Sequence, residues 1–401
     1  MHHGIQKLVL LGAGHAHVHV LAQLAEHRPA DLDVLVVSPY PYQTYSGMTP
    51  GLVAGHYSAE DCQIPLEPLV KAAGAKWIQA RCTGIDAAEQ RLRLSPTGKG
   101  PSPRDAVPAE LPYHLLSIDT GAVIDRERLE ADMPGASAHA LIVRPIEVFA
   151  TLWPHVIEKA QSQPVSIAVI GAGAAGIELL FAAEQCLRVQ GISGARFTLI
   201  TGGGEVAANY TPGVRQRVLR QLKRRNITVL RESCVGMEAG LVRLGSGALL
   251  TCDVPLLAIG THAPAWLQDS GLALADTGHV LVNAFQQSTS HPKVFAAGDV
   301  STRADAPHPK SGVYAVRAGP PLAHNLLAQH ESRPLKPHHP PGKTLNLLSC
   351  GTRHAIVSWG PLHAEGAWAW RWKDRIDRAF MAKYKRSPVD SGAPMGQPPL
   401  R

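Results

Sequence analysis

Short apolar runs and longer helical stretches alternate along this chain, and glycine-rich turns separate them. Val165 to Ile170 (VSIAVI) has five apolar or small residues in six, which predicts a strand buried on both faces. Ile177 to Val189, rich in Leu and Ala, predicts a helix. Between them stands a full G-x-G-x-x-G, with glycines at Gly171, Gly173 and Gly176. The order of strand, glycine turn and helix gives that motif its meaning. Gly171 is expected to make the tight turn and Gly173 to let a diphosphate touch the backbone. Gly176 is expected to let the helix lie close on the strand, and the helix N-terminus offers partial positive charge.

The same pattern opens the chain. Lys7 to Leu11 predicts a strand, Gly12-Ala-Gly14-His15-Ala16-His17 a turn, and a helix follows to about His27. His17 stands in place of the third glycine and is expected to widen the helix–strand contact. A second strand, Leu32 to Val37, ends at Ser38, where such a fold often carries an acid for the adenosine ribose. Two such turns about a domain apart predict two dinucleotide sites and a two-nucleotide oxidoreductase, with FAD on one unit and NAD(P)H on the other.

Tyr40 to Tyr57 has no period and many Gly, Pro and Tyr, and is read as a long shaped loop. Leu66 to Ala73 reads as helix and Trp77 to Ile85 as strand. Ser95 to Pro112, rich in Pro and Gly, reads as a mobile excursion between hairpin strands. Tyr113 to Ala122 predicts a buried strand ending in Thr120-Gly121. Arg144-Pro145 marks the crossover into the second unit. Its second strand, Arg196 to Ile200, ends in Thr201 rather than an acid, so the choice between NADH and NADPH stays open. Pro255 to Gly260 is another strand that runs into glycine. Val294 to Ala297 ends at Gly298-Asp299, an acid placed to reach a ligand hydroxyl or to cap a helix. A helix is expected from Ser311-Gly312 to about Ala328, with Pro320-Pro321 at a break or a first turn. In the tail, Trp372, Ile376, Phe380 and Tyr384 recur every fourth residue and predict one apolar helix face. Basic residues face the other way, a pattern that suits either a membrane interface or docking on the chain itself.

Composition adds limits. The 401 residues suffice for two or three domains, and no apolar run approaches the ~20 residues of a membrane span. The opening segment reads as a strand, not a signal peptide. Six scattered cysteines without C-x-x-C or C-x4-C spacing suit a reducing compartment and argue against a dithiol relay. The net charge of +7 is local: 371–386 holds seven Lys/Arg against two Asp. No nucleic-acid motif accompanies it, and no nucleic-acid partner is expected. His15, His17 and His19 lack a nearby acid or cysteine to complete a metal set, so no metal is expected.

Taken together, GAGHAH (12–17), Thr120-Gly121, GAGAAGIE (171–178), AIG (258–260) and VFAAGDVS (294–301) resemble the FAD-dependent pyridine nucleotide-disulphide oxidoreductase superfamily. Within it the chain looks like the branch of type II NADH dehydrogenases and sulfide:quinone oxidoreductases. YSGMTPGLVAGHY (45–57), Arg144-Pro145-Ile146-Glu147 and the tail are similar to an FAD domain found fused to selenide, water dikinase.

The resemblance implies an α/β fold with two Rossmann-like domains, the second inserted in the first. It places FAD on 1–145 plus 280–345, NAD(P)H on 146–279, and a strand pair with an amphipathic helix in 346–401. It implies that Gly12, Gly14, His15, Ser38, Thr120, Gly121, Gly298 and Asp299 serve FAD, with Asp299 on the ribityl chain. Gly312 and Val313 would lie under the flavin pyrimidine ring. Gly171, Gly173, Gly176 and Gly260 would serve NAD(P)H, and Glu178 would stand as the catalytic acid at the nicotinamide–flavin junction. Cys350 is the one thiol placed to approach the flavin. The implied activity is hydride transfer from NAD(P)H to flavin and onward to an acceptor, a quinone first. A sulfur or selenium compound is the alternative, and a non-catalytic FAD-holding partner protein is a third reading. The expected location is cytoplasmic, with peripheral contact at the inner membrane face through the C-terminal helix.

Overall fold

The computed structural model describes residues 4–97 and 107–385. The central part of the excursion expected at 95–112 and the last residues of the tail lie outside that range. The chain begins with β1 (Gln6–Leu11), α1 (His15–Glu26), β2 (Leu32–Val37), β3 (Lys76–Ile78) and β4 (Leu115–Ile118). Next come β5 (Leu141–Ile142), α2 (Ile146–Ser162), β6 (Ser166–Ile170), α3 (Ala174–Val189), β7 (Arg196–Ile200), α4 (Pro212–Arg224), β8 (Thr228–Leu230) and β9 (Val254–Leu257). After these are β10 (Val294–Ala296) and α5 (Gly312–His330). The tail adds β11 (Leu345–Ser349), β12 (Ala355–Trp359), β13 (Leu362–Gly366) and α6 (Ala367–Lys385).

The first ten strands form two parallel sheets of five, ordered β10-β4-β1-β2-β3 and β5-β9-β6-β7-β8. This is a doubly wound α/β architecture. In each sheet the strand before a glycine turn, β1 or β6, is central, and its sequence neighbour lies to one side. Both turns therefore sit where strand order reverses, the place where open α/β sheets bind ligands. Burial on both faces explains the apolar runs of the central strands: Leu8 to Leu11 and Ile167 to Ile170 are all buried. A three-stranded antiparallel sheet accompanies each unit, over residues 80–112 and 234–251. Leu141–Ile142 pairs with β9, so the second sheet already includes residues before 146.

Three local expectations are corrected. The stretch 77–85 divides at Gln79, because Lys76–Ile78 pairs with β2 while Ala80–Asp86 joins the antiparallel sheet. The loop 40–57 contains a helical turn, Thr49–Val53, whose Val53 is buried among side chains of the second unit. Finally, α5 runs unbroken through Pro320 and Pro321. The prolines leave the carbonyls of Val316 and Arg317 without helical donors. Arg317 and Pro320 are exposed, which puts that side within reach of water. On the inner side α5 packs closely on α1 at Gly319, where a Cβ would come within 2.9 Å of His19. Packing outweighs propensity here.

The tail straps both units. Its sheet docks on α3, with Leu348, Cys350 and Ile356 in the core of the second unit. Its helix α6 sends Met381 and Tyr384 into the core of the first. The buried residues of α6 are Ala369, Trp370, Asp377, Met381 and Tyr384; of the expected series Tyr384 is buried and Phe380 packs on the first core, while Trp372 and Ile376 are not. Trp368, Trp372 and Ile376 are instead exposed by 48, 39 and 42 %. The helix is rotated because Asp377 can go inside: Lys373 Nζ donates to its carboxylate at 2.6 Å and to Gly47 O at 2.6 Å.

Arg225 locks the tail sheet. It pairs with Glu184, donates to Cys350 O at 2.6 Å and lies 5.1 Å from the Phe181 ring centroid. Arg225→Ala leaves the buried Glu184 carboxylate with only the exposed Arg188, 3.4 Å away, and should cost about 2 kcal/mol, read as a lower urea midpoint. Arg243→Ala, which breaks the exposed pair with Glu238, should cost less than about 1 kcal/mol.

Candidate cofactor and nucleotide site

A cavity of about 540 Å³ opens at the end of β1. Gly12, Gly14, His15, Ser38, Thr120, Gly121, Asp299 and Gly312 all line it, together with Arg81, Arg126 and Arg144. Eight expected positions from five distant parts of the chain thus converge. Gly298 lies behind the wall and Val313 in the first turn of α5, neither of them part of the lining. Gly12 has φ +90°, and a Cβ there would fall 2.4 Å from Asp119 O, so the turn needs glycine. Asp299 pairs with Arg144 at 3.5 Å. Ser38 turns its hydroxyl to Tyr40 O at 3.2 Å and accepts Trp77 Nε1 on its carbonyl, so it shapes the turn after β2.

The three histidines go to separate partners. His17 does not leave a widened gap, for its ring fills the helix–strand contact. Nδ1 lies 2.7 Å from Gly12 O and Nε2 2.8 Å from Ser117 Oγ. A carbonyl can only accept, so Nδ1 carries the proton and Nε2 accepts from the serine. Burial holds this ring down to about 4, and it is neutral at physiological pH. His15 is likewise lowered to about 4, by burial and then by Arg144, and meets Tyr45 edge-on. His19 bonds Tyr384 Oη at 3.1 Å.

The second turn differs from the first. Gly176 Cβ would fall 1.9 Å from Gly171 O, so the third glycine is sterically required. Gly173 faces open space, with no atom within 4 Å of an added Cβ. Among the described residues, the first-turn amides of Ala174, Ala175 and Gly176 carry no partner. Gly260 is exposed nearby, and Thr201 closes its own loop by donating to Gly204 O at 2.7 Å. An open glycine and three free amides suit a diphosphate.

Glu178 faces the tail. Its Oε1 accepts Ser349 N at 2.7 Å. Protein encloses the carboxyl on most sides, and this burial pushes it up to about 7; Lys373 and the Ser349 amide oppose the rise. Cys350 is fully buried, and burial pushes its thiol up to about 12.

A family model described as "Pyridine nucleotide-disulphide oxidoreductase" matches residues 6–326. The chain belongs to that family. It is 24% identical to the demethylphylloquinone reductase NdbB of Synechocystis over 374 residues, covering 88% of this chain and 86% of that one. A mitochondrial external alternative NAD(P)H-ubiquinone oxidoreductase B4 of Arabidopsis thaliana is 24% identical over 45% of this chain and 31% of its own length. Among solved structures, NDH2 from Plasmodium falciparum in complex with NADH superposes with TM-score 0.76 at 14% identity, covering 95% and 99% of the two chains. The sulfide:quinone oxidoreductase of Aquifex aeolicus does so with TM-score 0.75 at 19% identity, covering 96% and 93%. These superpositions establish a common fold.

This member of the pyridine nucleotide-disulphide oxidoreductase family has six unpaired, buried cysteines. Sequence reasoning missed Asp119, Arg144, Ser349 and Lys373 as parts of the site. Asp119 alone had a local signal, an acid directly before Thr120-Gly121. The others are brought in by the crossover and the tail. Gly176→Ala should destabilise the protein by about 1–3 kcal/mol, seen as a lower Tm. Gly173→Ala should leave Tm unchanged and weaken NAD(P)H binding, measured by titration.

Proposed function

We propose that the protein is an FAD-dependent NAD(P)H oxidoreductase whose acceptor is a quinone. The observation that carries this reading is the pair of glycine turns, one in each parallel sheet at the point of strand reversal, with a cavity at the first and free amides at the second. Family membership and the names of the relatives support it. FAD in the first cavity would supply a carrier that takes two electrons as hydride and returns them to an acceptor. Gly12, Gly14, Thr120, Gly121 and Asp299 would hold it, with Arg81, Arg126 and Arg144 as countercharge. The N-terminus of α5 at Gly312–Val313 would stabilise negative charge beside it. This assignment corresponds to an FAD unit of 1–145 plus 280–345 and an NAD(P)H unit of 146–279, with Leu141–Ile142 crossing over to join the second sheet. Anaerobic titration with NADH and then NADPH should bleach the flavin band, and added quinone should restore it. A yellow protein that neither nucleotide bleaches would sink the reading.

Glu178 holds a proton close to neutral pH and stands against the tail, where an acceptor can approach. Quinone turnover that needs this proton should fall as pH rises through about 7, as Glu178 ionises. Glu178→Gln should flatten that limb of the pH profile.

The tail gives the acceptor a route from a membrane surface. Trp359, Leu362, Trp368, Trp372 and Ile376 are exposed, and Arg371, Arg375 and Arg378 lie on the same helix. No helix among the described residues is long and apolar enough to cross a membrane. Peripheral contact with anionic lipid, including an inner membrane face, fits these residues. The chain should sediment with anionic vesicles, and the triple variant Trp368→Ser, Trp372→Ser, Ile376→Ser should not.

A second reading makes a sulfur or selenium compound the electron partner. It draws on segment 45–57 and the tail, which carry the likeness to the selenide, water dikinase-fused domain and pack on each other. Tyr45 stacks on Phe380 at 4.4 Å, and Tyr57 Oη donates to Asp374 at 2.7 Å. With its thiol raised to about 12, Cys350 supplies little thiolate at neutral pH, so Cys350→Ser should keep its activity under either reading.

A further inference from the structure

The two glycine turns differ in what already occupies them. At α3 the first-turn amides are free. At α1 the Asp119 Oδ2 accepts both Ala16 N at 2.8 Å and His17 N at 2.9 Å. The Asp119 carbonyl also takes Gly14 N at 3.1 Å. Of the three first-turn amides of α1, only His15 N remains for a ligand. The fit around this carboxylate is close. A Cβ on Gly14 would sit 2.5 Å from Asp119 Cγ, and one on Gly298 would sit 2.8 Å from Oδ1. Gly14 in the cavity wall and Gly298 behind it thus make room for an acid. Asp119 is 2 % exposed, yet it lines the cavity. Its Oδ1 accepts no hydrogen bond among the described residues.

We propose that Asp119 is a built-in anion in the first turn, and that the cofactor's diphosphate enters fully only when this carboxyl carries a proton. The inference rests on the reading of this cavity as an FAD site. An ionised Asp119 competes with the diphosphate for the same helix end and repels it at short range. A protonated Asp119 keeps one oxygen for the two amides and can offer the other as a donor to a phosphate oxygen. Loading FAD therefore draws one proton from solvent.

The surroundings favour such a proton. No Lys or Arg pairs with Asp119 among the described residues. The charged group that acts on it is Asp299, which pushes in the same direction as burial, while the two amides oppose. Together they leave its carboxyl raised to about 7. On α1, His15 and His17 are lowered to about 4 and do not titrate in this window. Arg144 is engaged by Asp299. Lys310, lowered by burial to about 8, also faces Asp299, as do His279 and His308; these groups, and Glu178 raised to about 7, could imitate the effect.

The sign follows from linkage. Asp119 is protonated in the empty site below pH about 7 and ionised above it. Added diphosphate raises its pKa further, so FAD affinity should be constant at low pH and fall as pH rises through 7, by at most about tenfold per unit.

The test uses the full chain stripped of flavin and retitrated with FAD between pH 5.5 and 8.5, followed by flavin fluorescence. Calorimetry in two buffers of different ionisation heat counts protons. The wild type should take up about one proton per FAD at pH 8. Asp119→Asn should take up none and bind up to about tenfold more tightly than wild type at that pH. A wild type that binds FAD equally well across the range overturns the proposal. So does an Asp119→Asn variant that keeps the proton uptake, which would assign it to one of these other groups. The proton count on the wild type stands even if the variant folds poorly. A wild type that binds no FAD at any pH overturns the cavity's identity instead.

Discussion

Close backbone approach at a helix N-terminus governs this molecule. At both turns a carbonyl of the neighbouring strand end comes so near a glycine that any side chain would collide: Asp119 O against Gly12, Ala258 O against Gly171. That approach aims the first-turn amides of α1 and α3 at the point where the sheet's strand order reverses. The rest of the fold serves those two points. Buried central strands hold the helices in place, and the antiparallel sheets cover the faces that the helices leave bare.

The two turns nevertheless have different chemistry. The second is an open receptor with three free donors. The first has traded its third glycine for His17 and two of its donors for Asp119. His17 ties Gly12 to Ser117, and Asp119 ties Ala16 and His17 to the end of β4, so the first turn is cross-braced before any ligand arrives. Such bracing is a form of preorganisation, at the cost of placing a negative charge where a cofactor's diphosphate would go.

Much of this was legible in the sequence, because glycine loops flanked by apolar runs have one dominant structural meaning. The α/β class, the two turns, Thr120-Gly121 and Asp299 follow from local signals. What was not legible depends on distant partners. The rotation of α6 could not be read from its own apolar spacing, since a buried Asp377 is stable only with Lys373 and the loop at Gly47 beside it. The continuity of α5 through Pro320-Pro321 depends on packing against α1 at Gly319. Glu178 could be named from its motif, but its bond to Ser349 needs the tail folded in place.

The interleaved chain order bears on how the protein is made. Strand β10, the edge of the first sheet, is synthesised only after the whole second unit. Until it emerges from the ribosome, β4 has an unpaired edge, the kind of template that invites wrong pairing. The wall of the first cavity formed by Asp299 and Gly312 is missing for the same interval. The strap of tail sheet and α6 comes later still. Synthesis order thus delays cofactor capture until both sheets exist.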